Sequence, residues 1–476
     1  MKITGYFSDD VSALKKALRS DDVKFKEIKV GRKKGCIIFT ADLADKTAIG
    51  ELVLRPLEIL RGKITEKTLL KTLFSPETET AENVSEIADK IVGGFSALIV
   101  EDIRKAFLFG LKKFDKRAIA EPPTSTVIKG PREGFVENLA VNISLMRRKL
   151  ASPSLKFNYL SVGKYSKTQI AVCYVDGVAD KGLIAALKKK IQSIKIDAVL
   201  DSSYVSKFLG EHKTSLFKQI GNTEKPDILA AKILEGRVAI IVDGSPIALT
   251  VPYLLVEDFQ SPSDYYNSSY SATAARIIRL FAIILSVYLP AFYVASQLFH
   301  LQFIPLSFLL TVVNSIKGIP LSPSFEMFFT LLIFEILNEA SVRMPRYVGM
   351  VVSIVGGLVL GETAVNAGII SAPALMIIAL SGICLYTVPE LEQTFSLLRL
   401  LFLLIGGSFG AFGLIIASAV LLIYLVSFES YRTPLLAPFS PLITKDLKDG
   451  VYKGFMIEQS IRPLSLKNAN KRRIEK

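Results

Sequence analysis

Apolar positions along this chain follow two regimes. Through residues 1–275 they alternate with polar ones at strand or helix spacing, and from 277 to 427 they merge into long runs. The change predicts an α+β region of two subdomains followed by an all-α multi-pass membrane domain.

Within the first regime, residues 10–20 put Val11, Leu14, Ala17 and Leu18 on one helical face. Residues 36–40 read as a short apolar strand, and 80–92 as a helix stopped by Gly93-Gly94. Segments 96–101 and 105–112 read as two strands joined by a polar turn. A linker opens at Pro122-Pro123. A helix from about Glu133 then carries Phe135, Leu139, Ile143 and Leu145, with Arg147, Arg148 and Lys149 at its C-terminal end, where positive charge suits the helix dipole.

The stretch 35–46 (GCIIFTADLADK) is echoed at 170–181 (IAVCYVDGVADK), which predicts a repeated strand–turn–helix subdomain. In both copies the Asp of Ala-Asp-Lys, Asp45 and Asp180, fits a turn or a helix start. As a catalytic pair they would lack any accompanying nucleophile or metal ligand. Residues 227–235 predict a helix closed by Gly236. A strand at 237–243, an Asp243-Gly244 turn and a return strand at 247–251 follow. The aromatic and acidic stretch 252–275 reads as a connector at the membrane interface.

In the second regime, 277–299 is the first span, with Arg276 and Arg279 marking its cytoplasmic end and Pro290 kinking it. The apolar piece 303–316 is short enough to be re-entrant or interfacial. Helix 325–342 carries Glu326, Glu335 and Glu339. Glu335, Glu339 and Arg343 share a face, as a salt-bridged helix end or as a charged vestibule. Segment 374–388 crosses again, and 397–427 exceeds one span, with Gly406, Gly407, Gly410 and Gly413 kinking or dividing it. Four full spans (277–299, 347–371, 373–389, 398–427) with buried half-segments fit this pattern. Counting 325–342 and splitting 398–427 gives six.

The pattern centres on 343–371. Residues 347–361 cover roughly 22 Å at 1.5 Å per residue, less than the ~30 Å hydrocarbon core. Glu362, and Asn366 one turn on, therefore fall at membrane depth. Gly349, Ser353, Gly357 and Gly361 recur every fourth residue, a small-residue seam along which another helix can approach closely. Glu362 either bonds a neighbouring helix or, with Asn366, Glu335 and Glu339, lies on an ion or proton path.

Composition narrows the function. The net charge of +14 comes without a recognisable nucleic-acid-binding motif, and basic residues near membrane ends suit anionic lipid. Cys36, Cys173 and Cys384 form no CxxC, and with His212 and His300 as the only histidines there is little material for a metal, cofactor or triad site. The N-terminus lacks a signal-peptide core, which places residues 1–275 in the cytoplasm. The boundaries expected are 1–121, a linker 122–132, 133–251, the connector 252–275, the helical domain 276–430 and a basic cytoplasmic tail 431–476.

Three long ungapped stretches carry a resemblance: GPREGFVENL (130–139), NTEKPDILAAKILEGRVAIIVDGSPIALTVPYLLVEDFQSPSDYY (222–266) and RMPRYVGMVVSIVGGLVLGETAVNAGIISAP (343–373). Over roughly 130–445 the chain resembles the GerA family of spore germination proteins, specifically its A-subunit type, which also includes the stage V sporulation protein AF. The resemblance implies a multi-pass protein of the spore inner membrane with a cytoplasmic N-terminal region of two α+β subdomains. It implies a homo-oligomeric, nutrient-gated cation channel working with a transporter-like B subunit and a lipoprotein C subunit. A non-conducting scaffold or regulator is the competing reading. The family commonly has Gln and then Glu where this chain has Glu362 and then Asn366. One carboxylate thus stays on that helix face at a different depth.

Overall fold

The echo at 35–46 and 170–181 is the visible part of a repeated fold. The computed structural model describes residues 1–73, 75, 77–113, 129–344, 359, 361–455 and 458–474. In the first repeat the strands are β1 (Val23–Val30), β2 (Lys33–Thr40), β3 (Thr78–Ala81), β4 (Ser96–Val100) and β5 (Ala106–Phe109). In the second they are β6 (Leu155–Val162), β7 (Thr168–Val175), β8 (Gly221–Thr223), β9 (Val238–Val242) and β10 (Ala248–Val251). The sheet orders are β1-β2-β4-β5-β3 and β6-β7-β9-β10-β8, the same order shifted by five, and all pairs are antiparallel.

Each sheet is covered by helices on both faces, so the middle of its central strands is apolar on both sides. In the first, Cys36, Ile38, Ala97 and Ile99 face the Phe7–Ala17 and Val84–Val92 helices, while Ile37, Leu98 and Phe107 face the segment around Leu57 and Leu69. In the second, Ile170, Val172 and Ile240 face Leu187 and Val205, while Ala171, Cys173 and Ile241 face Ile143 and Ile233. Asp45 accepts the N–H groups of Thr47 and Ala48, and Asp180 accepts that of Leu183. Both aspartates thus start the helix after the second strand of their sheet.

The structure also departs from the pattern. The helix expected from Glu133 begins at Leu139, because Asn138 caps it and Asn142 bonds the extended backbone at Val136 in both directions. The helix expected at 80–92 begins at Val84, since Thr78–Ala81 pairs with β5 at the sheet edge. Of the expected linker 122–132, residues 122–128 lie outside the described residues.

Two compact units are formed. The first is Met1–Leu254 with Glu429–Thr433 and the residues from Phe455 onward; the second is Leu255–Phe428 with Pro434–Gly454. The expected tail 431–476 is therefore shared between them. In the first unit, Arg462 donates to the Leu234 carbonyl at 2.6 Å and Ala469 N–H to the Val178 carbonyl at 3.0 Å.

The second unit is helical: Ser269–Phe299, Leu306–Ile316, Pro323–Arg343, Gly361–Asn366, Ala372–Leu385 and Glu392–Ser427 among the described residues. Among the described residues, two helices are long and apolar enough to cross a membrane, Ser269–Phe299 and the one ending at Ser427. The latter bends at Gly410, whose φ of 61° and ψ of −152° lie outside the helical region. Glycine tolerates that conformation because it has no Cβ. At Gly406 a Cβ would stand 2.7 Å from the Ala291 carbonyl oxygen, so the two long helices meet there backbone to backbone.

Candidate functional site

The helical unit holds its charge inside, at three places. The first joins Pro323–Arg343, Ala372–Leu385 and Glu392–Ser427. Arg399, fully buried, donates to Glu335 Oε1 at 2.5 Å and to Ser381 Oγ at 3.0 Å, with its guanidinium 5.4 Å from the Phe334 ring centre. Ser396 also donates to Glu335, and Ser381 in turn donates to the Ser286 carbonyl at 2.7 Å. Glu335 remains 30% exposed. Tyr386 and Asn338 extend the polar line to Glu392.

The second place is Glu326, buried in the first turn of Pro323–Arg343, where it accepts the Ser371 N–H at 2.5 Å. The third lies before the long apolar run of the first helix. Arg279 grips Asp264 with two hydrogen bonds of 2.8 and 2.9 Å, and Arg276 reaches both Asp264 and Asp449. Burial works to raise the pKa of Asp264, but the hydrogen bond from Arg279, the Ser261 N–H and Arg276 outweigh it and hold the carboxyl below its ordinary value. The stabilisation from this pairing is present at neutral pH and is lost as the pH falls through that lowered value. Arg276 and Arg279, expected as orientation charges, are thus paired with carboxylates of their own unit.

Among the described residues no hydrogen bond or ion pair links Glu335 and Glu339, on Pro323–Arg343, to Glu362 and Asn366, on Gly361–Asn366. Glu335 belongs to the Arg399 cluster. Glu339 is exposed and pairs with Arg343 one turn on, the salt-bridged helix end, a contact worth little in water. Glu362 and Asn366 lie exposed on the short Gly361–Asn366 helix, and Glu362 has no hydrogen-bond partner among the described residues. Of the expected seam, Gly361 is buried with Leu375 3.1 Å from where its Cβ would be, while Gly349, Ser353 and Gly357 lie outside the described residues, as does Arg346.

A family profile, Bacillus/Clostridium GerA spore germination protein, matches residues 12–465. The chain belongs to the GerA family. Spore germination protein KA of Bacillus subtilis (strain 168) is 32% identical over 461 residues, covering 95% of this chain and 85% of that protein. Spore germination protein GerQA of Bacillus cereus is 36% identical over 380 residues, covering 79% and 76%. Among solved structures, the N-terminal domain of the A subunit of the Bacillus megaterium spore germinant receptor GerK3 aligns with a TM-score of 0.42 at 24% identity, covering 54% of this chain and 98% of that one. This member of the GerA family is of the A-subunit type, like its relatives KA, GerLA and GerQA.

Two residues of the GerA chain's helical interior escaped the sequence reading as site candidates. Arg399 sits inside an apolar run, and an isolated charge at that depth is itself a signal. Glu326 follows Ser322-Pro323 in a first helical turn, where acidic residues ordinarily serve the dipole, so its burial left no mark in the sequence.

Proposed function

We propose that this chain is the A-type subunit of a nutrient germinant receptor in the spore inner membrane, where several copies form a germinant-gated cation channel. The helical unit crosses the membrane several times, and the N-terminal region faces the cytoplasm. A transporter-like B subunit and a lipoprotein C subunit complete the complex. The observation that carries this reading is the exposure of Glu362 without a hydrogen-bond partner among the described residues, whereas Glu326 and Glu335 of the same unit are bonded. A carboxylate facing lipid costs about 2.5–3.5 kcal/mol on insertion scales. Contact with neighbouring copies around an aqueous axis removes that cost and repeats Glu362 as a ring, which attracts cations and repels anions.

The expected outcome is germinant-triggered potassium release that weakens in spores carrying Glu362→Gln and is lost with Glu362→Lys, at matched protein level. Normal release from Glu362→Lys removes the ring. It then favours the non-conducting scaffold, which the pairing of Glu335 with Arg399 and of Glu339 with Arg343 already suits.

The seam of Gly349, Ser353, Gly357 and Gly361 serves as a helix contact in this assembly. Gly357→Leu places a bulky side chain where backbones meet, at a typical overpacking cost of about 1–3 kcal/mol. Crosslinking of membranes should show the oligomer diminished in that variant, and an unchanged ladder would remove the seam from the interface.

A further inference from the structure

Glu326 is 1% exposed, and among the described residues no lysine or arginine pairs with it. Its one hydrogen-bond donor among the described residues is the Ser371 N–H at the start of Ala372–Leu385. The Thr330 hydroxyl, one turn on, donates to the Glu326 backbone carbonyl and leaves the carboxylate alone. Opposite, from Ser269–Phe299, Tyr293 and Gln297 stand one turn apart. Tyr293 lies beside Glu326, Gln297 and Ser371. Among the described residues, the Tyr293 hydroxyl and both amide atoms of Gln297 are buried and make no well-formed hydrogen bond, although Tyr293 lies close enough to Gln297 and Ser371 to interact with both. Buried polar atoms are almost always satisfied, so the unsatisfied oxygens of Tyr293, beside this buried carboxylate, and of Gln297, beside Tyr293, point to an occupant.

We propose that Glu326, Tyr293 and Gln297, with Ser371 orienting the carboxylate, bind one monovalent alkali cation inside each subunit. The chemistry selects that class. Carboxylate, phenol and amide oxygens suit a hard cation, and one carboxylate balances one positive charge. A divalent ion would draw on more carboxylates than this site holds. The cation cancels the charge of Glu326 and takes up the free lone pairs of the Tyr293 hydroxyl and the Gln297 amide oxygen. Its three elements are the first long helix, Pro323–Arg343 and the start of Ala372–Leu385, so the bound ion ties them together. This site lies within one subunit and stands apart from the inter-subunit ring of Glu362.

The test is thermal unfolding of the full-length chain in detergent, in potassium, sodium or choline chloride at equal ionic strength and pH 7. A ligand that binds the folded state raises Tm with its concentration. Wild type should melt a few degrees higher in an alkali chloride than in choline chloride. Glu326→Gln should abolish the difference. Tyr293→Phe, which keeps the ring and removes one oxygen, should shift the cation dependence to about tenfold higher concentration, and it decides the matter if Glu326→Gln does not fold. Equal melting of wild type in all three salts overturns the site, as does an unchanged cation response in both variants. Normal potassium release from spores without a cation-specific shift removes this site and leaves the channel. Loss of release in the Glu362 variants has no bearing on the shift, so the two readings fail separately.

Discussion

Replacing Asp22 by Ala should destabilise the first unit by about 3–5 kcal/mol, because it strands a buried arginine. Arg147 projects from the Leu139–Lys149 helix of the second repeat to the turn before β1 in the first. There it donates from Nε and Nη2 to the two Asp22 oxygens at 2.8 and 2.9 Å, with both side chains almost fully buried. Its remaining donors reach the Ser152 carbonyl at 3.0 Å and Ser20 at 3.4 Å, and its guanidinium lies 4.9 Å from the Phe157 ring centre. Neighbouring bonds tie the same strand to the same turn: Asp21 N–H to the Phe157 carbonyl, Phe157 N–H to Ser20, and Tyr159 N–H to Asp21. Burial also pushes the Lys156 ammonium down, although it reaches the Ala17 carbonyl. The joint between repeats is therefore polar, buried and bidentate. The pair Asp22→Leu with Arg147→Met should be far milder than Asp22→Ala alone, since neither charge is left without a partner. The chain has no tryptophan, so urea unfolding is followed by circular dichroism. A loss below about 1 kcal/mol in Asp22→Ala would show that the joint does not depend on the pair.

What the sequence disclosed and what it hid follow from range. Asp45 and Asp180 were legible because a cap acts on amides two or three residues away. The kink in the last long helix was legible because Gly410 adopts its conformation locally. β1 was obscured because it lies at the sheet edge with Lys24, Lys26 and Lys29 exposed on alternate faces, which leaves only Val23 and Phe25 on one side and Ile28 and Val30 on the other to meet the two cores. The start of the Leu139–Lys149 helix was displaced because long-range bonds hold the residues before it extended: Phe135 to Glu224, and Glu137 to Gly244. Interior charges were legible as residues but not as pairs. Glu335 is 64 residues from Arg399, and nothing between them in the chain says that three helices bring them together.

That pairing carries the second large effect, and its asymmetry makes it testable. Arg399 is fully buried, whereas Glu335 is 30% exposed. Glu335→Gln strands a guanidinium that has no route to water, and Arg399 cannot shed its charge by deprotonation. Arg399→Gln strands a carboxylate that reaches solvent, keeps the Ser396 hydroxyl as donor and can take up a proton. The ordering expected is therefore Glu335→Gln most damaging, at about 3–5 kcal/mol, Arg399→Gln milder, and the double variant better than Glu335→Gln alone. Lysine should not replace Arg399 well, because two separate nitrogens now serve Glu335 and Ser381 at once, and a single ammonium on a flexible stem loses that fork. Thermal stability of the four purified chains in detergent, read as a double-mutant cycle, gives the coupling. A strictly additive cycle, or Arg399→Gln falling below Glu335→Gln, would mean that the buried guanidinium is held by something other than this carboxylate.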